Sequence, residues 1–196
     1  MKTRYNKTMA IDIDGVLADF EEEFCQKFGS DNRRLFSLSA RYPTLDKGLI
    51  DEFVSNEQTY EHLVPLFGGI LLANQASLFG YYVLLMTARP RSVAQITKEW
   101  LEGFNVNYNE IWFSSDKKIA VQEYNRMYPR RPIQVVVDDH PETVTRVGGI
   151  LGVKSFAWEQ PWNEDVYPRI RYNQEKMRLE QRGSATDWFE LWTGVK

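Results

Sequence analysis

Four short apolar runs constrain the fold of this chain more than any other feature. They are Thr8–Ile13 (TMAIDI), Tyr82–Met86 (YVLLM), Ile133–Val137 (IQVVV) and Lys154–Trp158 (KSFAW), with Ile111–Phe113 as a shorter fifth. Continuous runs rich in Val, Ile and Leu suit strands covered on both faces. Helical patterns lie between them. Phe20, Phe24, Cys25 and Phe28 fall on one helical face, as do Val93, Ile96, Trp100 and Leu101. Pro141 suits the first turn of a helix that turns Val144 and Val147 inward and ends near Gly148-Gly149. Strands that alternate with helices predict an α/β fold, a parallel sheet flanked by helices. Such sheets hold ligands at the carboxyl ends of their strands.

The 196 residues fit one domain with room for a modest insertion. Between Gly29 and Pro65 the texture turns irregular, with Arg, Ser and Asn prominent. We read 29–65 as a small, mostly helical cap, set into a core made of 1–28 and 66–196. From Trp162 the chain is polar and mixed in charge. Its close, TDWFELW, predicts an aromatic helix docked through Trp188, Leu191 and Trp192.

Composition narrows the partners. At 43% apolar residues the chain can build a packed core, so disorder is not expected. A net charge of −3 lacks the basic excess of an extended nucleic-acid-binding surface. A single cysteine, Cys25, excludes an intrachain disulfide and a Cys zinc cluster. The amino terminus carries no signal-like apolar region, and no run reaches the ~18 residues of a membrane span. The expectation is a soluble, cytoplasmic protein with no membrane partner.

The chemistry lies where the runs end. The first closes on Asp12-Ile13-Asp14-Gly15, the second on Thr87-Ala88-Arg89-Pro90, the third on Asp138-Asp139-His140-Pro141. Neighbouring parallel strands would gather four carboxylates and a hydroxyl. Carboxylates that close need a counter-charge. Mg²⁺ prefers oxygen ligands and is commonly held by one or two carboxylates plus substrate phosphate. The two histidines, His62 and His140, show no zinc spacing. The set therefore predicts Mg²⁺ and a small-molecule phosphate ester. One carboxylate of the Asp12/Asp14 pair can attack phosphorus while the other transfers protons. Gly15 lets backbone approach phosphoryl oxygens, and Thr87 can donate to them. A lysine should offset the charge. Lys117 is the best candidate, with Lys118 adjacent. Against these stand blander roles: helix capping for Asp138 or Asp139, core packing for Phe20 and Cys25, and surface charge for Arg89 and Arg91.

DIDGVLAD resembles the first motif, DxDGxxxD, of the haloacid dehalogenase-like phosphohydrolases. Thr87, Lys117 and Asp138-Asp139 resemble the second, third and fourth, in family order. DIDGVLADFEEEFCQKF is further similar to the opening of the 5′(3′)-deoxyribonucleotidases, and YEHLVPLFGG to the stretch where their cap rejoins the core. The resemblance implies a Rossmann-type core with Asp12 as nucleophile and Asp14 as acid/base. It implies Mg²⁺ on Asp12, the Asp14 backbone carbonyl and Asp139, with Asp138 in support. Thr87, Arg91 and Lys117 would hold phosphate, Arg91 standing where the family has a lysine, and Phe20 would touch the nucleoside. One departure is TARP where the family usually reads TSP. TARP with TKEWL also resembles the 3′-phosphatase domain of polynucleotide kinases. The expected activity is Mg²⁺-dependent hydrolysis of nucleoside monophosphates through an aspartyl-phosphate. The alternatives are removal of a 3′-phosphate from a nucleic-acid end, and a phosphate-binding module without turnover.

Overall fold

Each apolar run becomes a strand, and the residues of the three central strands divide between two cores. The computed structural model describes residues 5–29, 42–166, 169–171, 178–181 and 184–187. The chain enters at β1 (Thr8–Ile11), then passes β2 (Ala18–Asp19) and α1 (Phe20–Phe28). After α2 (Lys47–Ser55) and α3 (Gln58–Glu61) it returns along β3 (Val64–Pro65), which pairs antiparallel with β2. There follow α4 (Phe67–Leu78), β4 (Tyr82–Thr87), α5 (Ala94–Gly103) and β5 (Glu110–Phe113). Next come α6 (Lys117–Met127), β6 (Ile133–Asp138), α7 (Pro141–Gly148) and β7 (Lys154–Trp158).

Five strands run parallel in the order β5-β4-β1-β6-β7. Successive side chains of a strand point to opposite faces. Met9, Ile11, Val83, Leu85, Val135 and Val137 join one core, while Ala10, Leu84, Met86 and Val136 join the other. Trp100 and Leu101 of α5 cover the first face, and Ala120, Val121 and Tyr124 of α6 cover the second. This double burial is why the runs are continuously apolar rather than alternating.

The paired strands β2 and β3 close the excursion that carries α1, α2 and α3. Residues 30–41 of the expected 29–65 insertion lie outside the described residues. Phe20, Phe24 and Phe28 of α1 pack their rings against Phe53 of α2, at centroid distances of 5.6, 5.3 and 5.4 Å. Leu66 N–H donates to the Leu17 carbonyl at 2.8 Å, and a Cβ at Gly69 would sit 1.8 Å from the Val16 oxygen. Helix α4 thus begins directly against the turn that follows β1.

Beyond β7 the sheet continues through β8 (Arg169–Arg171), parallel, then β9 (Arg178–Gln181) and β10 (Ser184–Asp187), both antiparallel. The expected tail helix is corrected at its start. Thr186 and Asp187 pair with Leu179 and Arg178 instead. The open edge of β9 satisfies their backbone groups, and the helical signal in the sequence came from the residues after them. Trp188, Leu191 and Trp192 lie outside the described residues. No helix among the described residues is long and apolar enough to cross a membrane.

Candidate active site

The site starts where β1 stops. Asp12 N–H donates to the Val137 carbonyl at 2.9 Å, fixing Asp12 beside the end of β6. The chain then coils tightly. The amides of Leu17 and Ala18 both donate to the Ile13 carbonyl, at 2.7 and 2.9 Å, and Gly15 N–H reaches the Ala18 oxygen at 2.8 Å. This coil takes Gly15 to φ +76°. A Cβ there would lie 2.3 Å from Asp139 Oδ2. Glycine is required twice over, for its dihedral angle and for the approach of Asp139.

Asp12, Asp138 and Asp139 are all buried, and each offers an oxygen within 4.8 Å of the others. Lys117 Nζ lies 2.6 Å from Asp12 Oδ2 and 2.6 Å from Asp138 Oδ2. It stands at the start of α6, where the Asp116 carboxylate caps the helix by accepting from Ile119 N–H at 3.1 Å. Capping fixes the phase of that first turn and aims Lys117, not Lys118, at the carboxylates. Asp138 Oδ1 accepts from His140 N–H at 2.9 Å.

Burial pushes Asp12 up to about 7; Lys117 opposes the shift, and Asp138 and Asp14 add to it. Asp139 is raised well above the usual carboxylate range, first by burial and then by Asp12 and Asp138. Burial pulls Lys117 down, but Asp12 and Asp138 outweigh it and hold the ammonium above its ordinary value. Three buried carboxylates facing one ammonium leave a deficit of positive charge. A hard divalent cation fits that deficit and this all-oxygen donor set.

Asp14 is held separately. Arg89 Nη2 donates to its Oδ1 at 2.6 Å and Arg89 Nε to its Oδ2 at 2.9 Å, a two-pronged ion pair. Arg89 is itself buried. Its Nη1 donates to Thr97 Oγ1 at 3.1 Å, and its guanidinium lies 4.4 Å from the centre of the Tyr60 ring. Thr87 is fully buried, and its Oγ1 accepts from the Arg89 backbone N–H at 3.1 Å.

A cavity of about 940 Å³ opens over these groups. Asp12, Asp14, Asp139 and Lys117 lie at its floor. Phe20, Ile50, Val54 and Tyr60 form one wall, from the excursion between β2 and β3. Phe20 stacks on Tyr60 at 6.0 Å, and Arg146 and Trp162 lie elsewhere on the rim. The structure therefore gathers Asp12, Asp14, Phe20, Lys117 and Asp139 around one space, with Asp138 behind. Thr87 does not line it. Arg91 sits exposed on the turn Arg91–Val93 and does not line it either, whereas Arg89 does. Sequence reading missed Arg89, Tyr60, Arg146 and Trp162. Only Arg89 carried a signal, its place two residues past Thr87.

No protein-family model matches the chain, and no curated protein matches it in sequence. Solved structures do match its shape. A dehalogenase with an intermediate complex superposes with a TM-score of 0.58 at 10% identity, over 86% of this chain and 94% of that one. A haloacid dehalogenase-like hydrolase from Streptococcus pneumoniae gives 0.56 at 14% identity, over 81% and 86%. A structure of a Pnkp1/Rnl/Hen1 complex gives 0.51 at 16% identity, over 80% of this chain but only 47% of that chain. Together with the five parallel strands and the buried aspartates at their carboxyl ends, these likenesses show that the chain has the haloacid dehalogenase-like fold.

Proposed function

We propose that the chain is a Mg²⁺-dependent phosphoric monoester hydrolase that cleaves nucleoside monophosphates through an aspartyl-phosphate on Asp12. The observation that carries this reading is the pairing at the cavity floor. A buried Asp12 lies 2.6 Å from Lys117 Nζ, and Asp14 faces the same space under Arg89.

In this mechanism an Asp12 oxygen attacks phosphorus, forming an O–P bond as the ester P–O bond breaks. For the acid step Asp14 gives up one of its two Arg89 contacts, takes a proton from solvent on that oxygen, and passes it to the departing alkoxide oxygen. It then takes a proton from a water whose oxygen attacks phosphorus and frees Asp12. Lys117 offsets charge on the transferring group. Mg²⁺ would be held by Asp12, the Asp14 backbone carbonyl and Asp139, with Asp138 in support, and when bound it neutralises phosphoryl charge. The Asp14 side chain is 28% exposed, so the oxygen that leaves Arg89 can be protonated while the other stays anchored. The wall of Phe20, Ile50, Val54 and Tyr60 suits the flat apolar faces of a nucleobase, and the cavity volume falls within the roughly 300–1,000 Å³ usual for small-ligand sites.

The test is phosphate release with Mg²⁺ from 5′- and 3′-deoxyribonucleotides, ribonucleotides and a 3′-phosphorylated oligonucleotide, with Asp12→Asn and EDTA as controls. Preference for free deoxyribonucleotides, lost in both controls, supports the reading. Release that survives Asp12→Asn refutes the covalent mechanism. No release from any of these substrates favours a binding module.

One observation favours a second reading, hydrolysis at a nucleic-acid end: the likeness to a Pnkp1/Rnl/Hen1 RNA repair complex. The basic stretch Tyr128–Pro132 (YPRRP), whose two arginines could suggest a nucleic-acid contact, does not add to it. Pro132 immediately precedes β6, at the opposite end of that strand from Asp138, and the Arg131 guanidinium packs over the Tyr82 ring at 3.7 Å. Preference for the oligonucleotide in the same panel would select this second reading.

A further inference from the structure

The segment after β7 belongs to no motif, yet it grips the site from behind. Asn163 is 1% exposed. Its Nδ2 donates to the Asp139 carbonyl at 2.8 Å and to the Trp158 carbonyl at 2.7 Å, while its Oδ1 accepts from Gln160 N–H at 2.9 Å. Both amide hydrogens and the amide oxygen are therefore engaged. Trp162 Nε1 adds a second donor to the Asp139 carbonyl at 3.2 Å. Gln160 Nε2 donates to the Gly15 carbonyl at 2.8 Å.

These bonds tie together two backbone segments whose spacing matters most. Gly15 and the Asp139 carboxylate approach so closely that no Cβ fits between them. The two Lys117 ion pairs go to Asp12 and Asp138, not to Asp139. The position of Asp139 therefore depends on its backbone, and its backbone carbonyl is held by Asn163 and Trp162.

We propose that Gln160, Trp162 and Asn163 form a strap that sets the separation of Asp139 from the Asp12–Gly15 turn and so tunes the site for a divalent cation. Asn163 is its main positioning residue. The proposal rests on the cation reading above. Bonds behind a ligand fix its orientation, and their loss typically weakens metal binding ~10–100-fold. A bond serving stability alone would weaken the protein equally with and without cation.

The test uses the full chain and Mn²⁺ as the probe. Free Mn²⁺ is followed by electron paramagnetic resonance for wild type, Asn163→Ala and Gln160→Ala. Thermal unfolding in EDTA and in Mg²⁺ is recorded for each. The strap predicts Mn²⁺ binding weakened ~10–100-fold in Asn163→Ala, less in Gln160→Ala, and a smaller upward shift of Tm with Mg²⁺ in both. Should Asn163→Ala fail to fold, the half-buried Gln160 gives the deciding variant. Folded variants that bind Mn²⁺ like wild type overturn the strap and leave the cation reading intact. A wild type that binds no Mn²⁺ overturns the cation reading, and the strap with it.

Discussion

Replacing Gly15 with alanine probes the closest approach in the site. At φ +76° a Cβ costs roughly 1–2 kcal/mol. The new methyl would also lie 2.3 Å from Asp139 Oδ2, where ordinary contact begins at 3.4 Å. The carboxylate must therefore retreat by about 1 Å, and Mg²⁺ demands near-ideal distances of about 2.0–2.1 Å. Two separable losses follow. In EDTA the variant should unfold about 2–8 °C below wild type, from the backbone strain alone at the usual sensitivity of a chain this size. With Mg²⁺ at ~100 times its Kd, wild type should gain about 2.7 kcal/mol, a shift that the variant should largely lose. Calorimetric unfolding with and without Mg²⁺ reads both. A Gly15→Ala protein with the full wild-type Mg²⁺ shift would refute the argument that this glycine makes room for Asp139 as a cation ligand.

Arg89→Gln removes the two-pronged anchor of Asp14. Its kcat/KM should fall at least ~10-fold further for an alkyl phosphate, whose leaving group needs a proton, than for p-nitrophenyl phosphate, whose leaving group does not. Equal losses on the two esters would show that Arg89 does not act through Asp14. The metal-free protein should also respond to pH. Asp12 and Asp139 are both raised in the folded state, so each contributes stability that is complete below the ordinary carboxylate range. For Asp12 that contribution is lost as pH rises through about 7. Urea unfolding in EDTA should thus show a decline between about pH 5 and about pH 8, shallower in Asp139→Asn, and an undiminished slope in that variant would contradict it.

The strands were legible because burial on both faces writes itself as unbroken apolar runs. The carboxylates were legible because Asp12, Asp14, Asp138 and Asp139 close those runs, where an unpaired charge is costly. Lys117 and Lys118 could not be separated until the Asp116 cap fixed the phase of α6. Arg89 and Arg91 differ only in how the backbone turns around Pro90, a three-dimensional choice that spacing does not encode. Gln160 and Asn163 left no signal at all. They act through backbone carbonyls of Gly15 and Asp139, and such bonds place no constraint on neighbouring residue types. The tail helix was misjudged at Thr186 because a short polar stretch takes its structure from the strand edge beside it.

The most direct test of the central claim is to trap the covalent intermediate. The protein would be mixed with the phosphate ester it cleaves fastest in the nucleotide panel and Mg²⁺, acid-quenched within one turnover, and digested for mass spectrometry. Covalent catalysis by Asp12 predicts one added phosphoryl group on the peptide holding Asp12, converted by borohydride to a homoserine at position 12 and missing in Asp12→Asn. Phosphate release with no adduct at Asp12, or with the adduct on another residue, would contradict it.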